Sequence, residues 1–452
     1  MEEMLSQKDD VSEILEELLE RGDTAYLKTI LIDLHPADIA EVVTRIGHDK
    51  RVIIFTLLNT TQSAEVLIEL NSTHRQEILQ AIGEKRVVEI IGAMDSDDAT
   101  DVVGELKEDV AQRVLNALPW KEFREVKTLL RHNEETAGGI MALEVVAVNQ
   151  NKNAHEAQEV IRQKADEVED VYNIYVVDDE GILKGFVSLK GLVLADPQAK
   201  LSEIMDKEAI SVQVGMDREE VANLFQKYDL VAAPVLDAQG RLVGQITVDD
   251  VLDVLKQEVN EDITMMAGIT DEEIRGRSIF KISGVRLPWL MVAFTGEMIS
   301  AFVMSRFKAS LSEIVASAFF IPLIMAMGGN TGIQSATVVI RGLATGEINL
   351  KDTGRRLLKE IGSAFLNGLI IALLLFGVSG FWLHNEKFGA ILSMAMLAVI
   401  LNAALMGTLI PFFLKRLGID PAIATGPFIT TSNDVLGLVV YFGMMTLFLQ
   451  RL

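Results

Sequence analysis

Residues 361–383 read IGSAFLNGLIIALLLFGVSGFWL and residues 388–414 read FGAILSMAMLAVILNAALMGTLIPFFL, and neither stretch holds a charged side chain. About 20 helical residues cross the ~30 Å hydrocarbon core of a bilayer, so each is long enough to span one. Working outward, three more apolar stretches of sufficient length stand at 287–305, 312–340 and 423–449. The chain therefore reads as a membrane protein with five spans near its C-terminal end. Flanking charge sets the expected orientation. Arg275, Arg277, Lys281 and Arg286 precede the first span, Arg341, Lys351, Arg355, Arg356 and Lys359 lie between the second and third, and Lys415 and Arg416 follow the fourth. The opposite side carries only Arg306, Lys308, Lys387 and Arg451. The positive-inside rule then puts the N-terminal part in the cytoplasm and the C-terminus outside.

The 452 residues carry a formal charge of −24, but unevenly. From Gly276 onward there are 8 acids and 14 bases, so the part before it carries −30. A region this acidic repels nucleic acid and anionic lipid and attracts cations. The absence of cysteine excludes disulfides and thiolate metal sites. The opening MEEMLSQKDDVSEILEELLE has neither the basic start nor the apolar core of a secretory signal, in keeping with a cytoplasmic start.

Within residues 34–118, Leu34, Ile46, Leu58, Leu70, Ile82, Met94, Leu106 and Leu118 recur every 12 residues. Eight positions after each of the first seven stands Val42, Ile54, Val66, Ile78, Ile90, Val102 or Val114. Turn-forming residues such as His35-Pro36, Asn59-Thr60-Thr61, Asn71-Ser72 and Asp95-Ser96-Asp97 separate the units. The pattern predicts short helices stacked into a superhelical array that needs its neighbours for a core. Residues 139–258 change style. Alternating runs at Val145–Val148, Ile174–Val177, Phe186–Leu189, Ala232–Leu236 and Leu242–Val248 read as strands, interleaved with helical patterns at 154–165, 217–228 and 249–257. VYNIYVVDDEGILKGFVSLKGLV (171–193) and LVAAPVLDAQGRLVGQITVDDVL (230–252) are two copies of one strand–turn–strand–helix unit. They resemble a tandem pair of cystathionine-β-synthase-type (CBS) domains, a regulatory module that packs as a pseudo-dimer and in some proteins binds adenine nucleotides. Thr247 and Asp250 match the end of the nucleotide pattern in the second unit, which makes ATP a candidate ligand; Ser188-Leu189-Lys190-Gly191 in the first unit lacks the carboxylate.

Ionisable residues inside a span cost at least ~2.5 kcal/mol at its centre and are functional candidates by default. Asp434 lies in the fifth span within GPFITTSNDVLGLVV, close to the hydroxyls of Thr430 and Thr431, and Glu297 lies mid-depth in the first. Mg²⁺ takes six oxygens at about 2.0–2.1 Å and releases water reluctantly, so a pore for it needs one or two carboxylates plus carbonyls. Asp434 suits that role, and the middles of the other spans offer no Lys or Arg to pair with it. The second span contains Pro322 and GGNTG (328–332). This predicts broken helix at membrane depth, with Gly328, Gly329, Asn330 and Gly332 turned toward ions or used for close packing. Asn402 and Gly407 in the fourth span read as packing residues.

Three stretches, IPLIMAMGGNTGIQSATVVIRGLATGE (321–347), GIDPAIATGPFITTSNDVLG (418–437) and ETAGGIM (135–141), resemble the MgtE family of bacterial magnesium channels. The resemblance covers essentially the whole chain in one order. It implies an all-α, short-helix superhelical N domain (1–138), α/β tandem CBS domains (139–258, divided near 201), a connecting plug helix (259–284) and an all-α five-helix transmembrane domain (285–452). It also implies a homodimer in the bacterial cytoplasmic membrane, with Asp434 the principal pore ligand and Asn330 matching the family's second-span asparagine. Ser432-Asn433 departs from the family pattern, and Glu297 belongs to no family motif.

The same resemblance implies a regulated pore, open at low cytosolic Mg²⁺ and closed at high Mg²⁺ through ions held between acidic faces. The carboxylates for this are Asp95, Asp97, Asp98 and Asp101 in one repeat unit, then Asp217, Glu219, Asp229, Asp250, Asp253, Glu258, Glu261 and Asp262. A proton-coupled divalent-cation transporter using Glu297 is the alternative. An intramembrane metalloprotease fails on ligands, because of the six histidines only His384 is near a span.

Overall fold

The computed structural model describes residues 8–165, 168, 171–266, 279–307, 315–344, 347–424 and 426–449. Part of the connecting segment (267–278), the start of the expected second span (312–314) and the side chain of Asp262 lie outside the described residues. The chain divides into two compact units, Met1–Lys256 and Gln257–Leu452.

In the first unit the 12-residue repeat becomes helices at the same interval. After α1 (Lys8–Arg21) and α2 (Thr24–Asp33) come α3 (Pro36–Arg45), α4 (His48–Leu57), α5 (Thr60–Glu69), α6 (Ser72–Ala81), α7 (Glu84–Ile91), α8 (Ser96–Gly104), α9 (Glu108–Ala117) and α10 (Trp120–Leu129). Asn59 and Asn71 cap their helices by accepting from the backbone N–H groups of Gln62 and His74, at 2.8 and 3.0 Å. The periodic anchors Leu58 and Leu70 are the extended residues that end each helix, and both are buried. Each helix packs mainly on the next but one, α3 on α5, α4 on α6, α5 on α7. Arginines tie the same pairs together: Arg51 Nη1 reaches Glu77 at 2.7 Å, and Arg86 Nη1 donates to Thr60 Oγ1 at 2.9 Å. One continuous apolar core from Leu15 to Val126 results.

The rest of this unit holds two equivalent three-stranded sheets. β1 (Ala147–Asn149) lies parallel to β2 (Asn173–Val177), which pairs antiparallel with β3 (Leu183–Ser188), and β4 (Val212–Gln213), β5 (Ala232–Leu236) and β6 (Leu242–Thr247) repeat the order. The accompanying helices are α11 (Ala154–Lys164), α12 (Leu189–Leu194), α13 (Leu201–Ile204), α14 (Arg218–Tyr228) and α15 (Val248–Met266). The two hairpin turns place Gly181 and Gly240 at φ near +80°, and they hydrogen-bond across: Leu183 N–H to the Gly240 carbonyl and Leu242 N–H to the Gly181 carbonyl, each at 3.1 Å.

Among the described residues the second unit contains five helices long and apolar enough to cross a membrane. They are α16 (Ile279–Arg306), α17 (Ile321–Ala344), α18 (Thr353–Leu383), α19 (Glu386–Arg416) and α20 (Pro427–Leu449). α19 is the most enclosed and packs against α17, α18 and α20, while α16 packs on α20. The helix break expected at 328–332 is absent: α17 is continuous through GGNTG. Pro322 falls in its first turn, where a missing N–H costs nothing. Gly328 and Gly332 serve close packing instead. A Cβ on Gly332 would collide with Asn433 Nδ2, and one on Gly407 would collide with the Gly332 carbonyl oxygen.

Candidate functional site

In the first unit, α8 begins at Asp95 and is pinned by buried Ser96, which donates to Glu144 at 2.6 Å and accepts from Leu143 N–H at 2.9 Å. That anchorage brings three carboxylates of α8 toward the first turn of α15. Asp97 accepts from Asp98 N–H at 3.0 Å, and both Asp97 and Asp98 feel the field of Asp250. Asp250 is fixed by two hydrogen bonds from Thr247, its N–H at 3.2 Å and its Oγ1 at 2.7 Å. Burial is the largest influence on all three, and like charge adds to it. Asp98 is pushed up to about 8, Asp250 to about 7, and Asp97 well above the usual carboxylate range. Asp95, Asp101 and Asp249 stand exposed around this group and add negative field to it. Such a cluster is short of positive charge, and its donors are all oxygen, the set that hard dications take.

Other candidate carboxylates of the first unit have other partners or stand exposed. Asp217 caps α14, accepting from Glu219 N–H at 2.9 Å, and Asp229 closes the same helix in the left-handed region at φ 50°. Asp253 is exposed, 4.0 Å from Lys256. Glu258 and Glu261 occupy later turns of α15, which fall in the second unit. The ETAGGIM stretch runs beside β4 and the start of α14: Ala137 and Gly138 donate to the carbonyls of Met216 and Val214 at 2.7 and 2.9 Å. Gly139 has to be glycine, because a Cβ there would meet the Asn133 carbonyl oxygen at 2.5 Å.

Between the two sheet repeats lies a cavity of about 460 Å³ lined by Tyr172, Asn173, Tyr175, Phe186, Asp206, Glu208 and Asp229 among others. Thr247 and Asp250 are not among the residues that line it. The Thr247 hydroxyl is spent on Asp250, and Asp250 faces the α8 carboxylates. Sequence reasoning missed Asp206 and Glu208, whose only signal is an acidic linker between the repeats.

In the second unit α16 and α20 approach closely at Gly296, where a Cβ would collide with Thr431 Cγ2. This contact brings the Glu297 carboxyl within hydrogen-bond reach of Asp434. A cavity of about 400 Å³ lies in the same seam, lined by Met291, Val292, Thr295, Gly296, Ile299, Phe428, Thr431 and Ser432. The Thr430 hydroxyl donates to the Gly426 carbonyl oxygen at 3.3 Å. Asn330 is exposed on α17, Gly328 is buried against Val399, and Gly329 has open space before it. Asn433, next to Asp434, is only 2% exposed, and neither amide atom has a partner among the described residues. Glu360 was overlooked because it precedes the expected third span; it accepts from Ser335 at 3.0 Å and from Arg356 at 2.5 Å, joining α17 to α18.

Comparison with known proteins covers this whole layout. Residues 321–444 match the MgtE model, described as a divalent cation transporter, residues 34–135 match the MgtE intracellular N domain, and residues 137–197 and 201–257 match the CBS domain. The magnesium transporter MgtE of Thermus thermophilus is 37% identical over 445 residues, 96% of this chain and 98% of the relative. That of Enterococcus faecalis is 38% identical over 73% of each chain. Among solved structures, the cytosolic domain of the Mg²⁺ channel MgtE in complex with ATP superposes with a TM-score of 0.52 at 39% identity, covering 54% of this chain and 99% of that one. With the order of domains, the five membrane-length helices and near-complete coverage of a relative all in agreement, this chain belongs to the MgtE family and is a multi-pass membrane protein.

Proposed function

We propose that this protein is a Mg²⁺-selective channel of the cytoplasmic membrane that mediates Mg²⁺ uptake and is closed from the cytosol when Mg²⁺ is abundant. The observation that carries the conduction half is Asp434, a half-buried carboxylate on a membrane-length helix that meets another carboxyl rather than a cation. A route holding such a group attracts dications, and Mg²⁺ passes it with part of its water retained, handed between the carboxylate and nearby hydroxyl and carbonyl oxygens. The names of the relatives, magnesium transporters, support Mg²⁺ as the cargo. In this reading the basic loops face the cytoplasm, with the N-terminus inside and the C-terminus outside, and two copies of the chain form the working unit.

The closing half rests on the Asp97, Asp98 and Asp250 cluster. Mg²⁺ held there supplies the missing positive charge and stabilises the compact arrangement, while its loss leaves like charges to separate. Asp95, Asp101, Asp217, Glu219, Asp229, Asp253, Glu258, Glu261 and Asp262 add weaker sites. Moving an equilibrium from 1:99 to 99:1 takes about 5.5 kcal/mol of differential binding, which several weak oxygen sites supply together. The cavity between the sheet repeats is the place for an adenine nucleotide, by analogy with the ATP complex of the similar cytosolic domain.

A second reading, proton-coupled transport of a divalent cation, is favoured by the same Glu297–Asp434 contact, since two carboxyls so placed share a proton readily. Rescue of a magnesium-starved strain tests conduction: wild type is expected to restore growth and Asp434→Ala to fail, and unimpaired rescue by the variant removes the assignment. Mg²⁺ currents that persist without a pH gradient select the channel over the coupled transporter. Neutralising Asp250, Asp253 and Glu258 together is expected to leave conduction intact and weaken its shutdown by millimolar Mg²⁺ in a patch recording.

A further inference from the structure

Glu297 is the carboxylate that the family motifs do not account for, and three features of its surroundings concern a bound cation. First, the Gly296–Thr431 contact fixes the register of α16 against α20. Thr431 and Asp434 are three residues apart on one helical face, so that register sets Glu297 opposite Asp434, within hydrogen-bond reach. Two carboxylates at such a distance repel unless positive charge stands between them. Second, Ser300, one turn beyond Glu297 on the same side of α16 as Gly296, is 2% exposed, and its Oγ has no hydrogen-bond partner among the described residues. A buried hydroxyl without a partner costs about 1–3 kcal/mol, which a ligand at the seam would relieve. Third, a cavity of about 400 Å³ lies in that seam beside the pair, with Thr431 and Ser432 of α20 among its lining residues.

We propose that Glu297 and Asp434 form one two-carboxylate site for a divalent cation in the seam between α16 and α20, with Ser300 as a further oxygen, and that Glu297 sets the preference for divalent over monovalent ions. This rests on the reading of Asp434 as a pore residue and adds to it a second ligand from the first span. One dication neutralises the pair, whereas one Na⁺ leaves a net negative charge on it, so the second carboxylate favours divalent occupancy. Losing it leaves a single-charge site that monovalent ions satisfy.

The test is current recording from the full-length protein in planar bilayers, comparing wild type with E297Q, E297D and D434N in Mg²⁺ and in Na⁺ solutions. E297Q is expected to raise the Mg²⁺ concentration for half-maximal current about tenfold and to pass Na⁺ at Mg²⁺ levels that block it in the wild type. E297D is expected to stay close to wild type in its Na⁺ block. If E297Q keeps the wild-type Mg²⁺ dependence and Na⁺ block while D434N is silent, the two-carboxylate site is refuted and the pore reading stands. If D434N conducts like wild type, the pore reading itself falls and the site with it. Should E297Q carry no current, recovery by E297D supports the electrostatic role, and silence of both in protein that elutes as folded material overturns it.

Discussion

Asp98 concentrates the energetics of the acidic cluster in the first unit. Its carboxyl is raised from 3.8 to about 8, first by burial and then by Asp250, Asp95 and Asp101. A carboxyl raised on folding binds its proton more tightly in the folded state. Its stabilising share is therefore complete below pH 4 and lost as pH rises through 8. In chelator-treated protein, thermal unfolding followed by a probe in the first unit should show Tm falling as pH rises from about 5 to 8. Saturating Mg²⁺ should flatten that slope, because a bound dication replaces the protons. By the same logic Asp98→Asn removes a buried like charge. At neutral pH without Mg²⁺ it should stabilise the first unit by on the order of 2–4 kcal/mol in a denaturant titration and shrink the Mg²⁺-induced rise in Tm. An unchanged Tm in both media would show that Asp98 is solvated and independent of Asp250. Asn433 poses the converse case, a buried amide with no partner among the described residues, beside the candidate pore carboxylate.

Among the elements, the decisive contacts are glycine-mediated. Gly407 on α19 faces the Gly332 carbonyl on α17, and the backbone leaves no room for a methyl group. Gly407→Ala should cost about 1–3 kcal/mol of bundle stability, read as a lower unfolding midpoint of the detergent-solubilised protein, whereas Gly329→Ala, which meets open space, should cost far less. The same glycines show where sequence reading stopped. GGNTG is written alike for a broken helix and for a close helix crossing, and only the partner helix distinguishes them; that partner is more than sixty residues away. The 12-residue units were legible because each helix, its cap and its buried anchor are local, so that Asn59, Asn71, Leu58 and Leu70 announce themselves. Glu297 was visible as a charge in an apolar run, yet its pairing with Asp434 depends on which helices of the bundle touch. Asp97 and Asp101 share a helical face by spacing alone, but their convergence with Asp250 runs through the Ser96–Glu144 anchorage, which no periodicity reveals. Thr247 and Asp250 matched a nucleotide pattern in sequence and turned out bonded to each other.

For the whole molecule, the uneven charge is the organising fact: −30 before Gly276 and a basic remainder that borders the membrane. In the proposed function a dication is handled in two places, at carboxylates within the membrane-length helices and at the acidic cluster of the first unit. Long-range repulsion among exposed acids is screened over about 8 Å at physiological ionic strength, so monovalent salt alone should not reproduce the compaction proposed for Mg²⁺ at the half-buried cluster. The most direct measurement is Mg²⁺ entry into liposomes carrying the full-length protein, followed with an enclosed Mg²⁺-sensitive dye, for wild type and Asp434→Ala at equal protein content. Rapid entry through wild type and none above empty liposomes through the variant is the expected result. Equal entry through both would contradict the account.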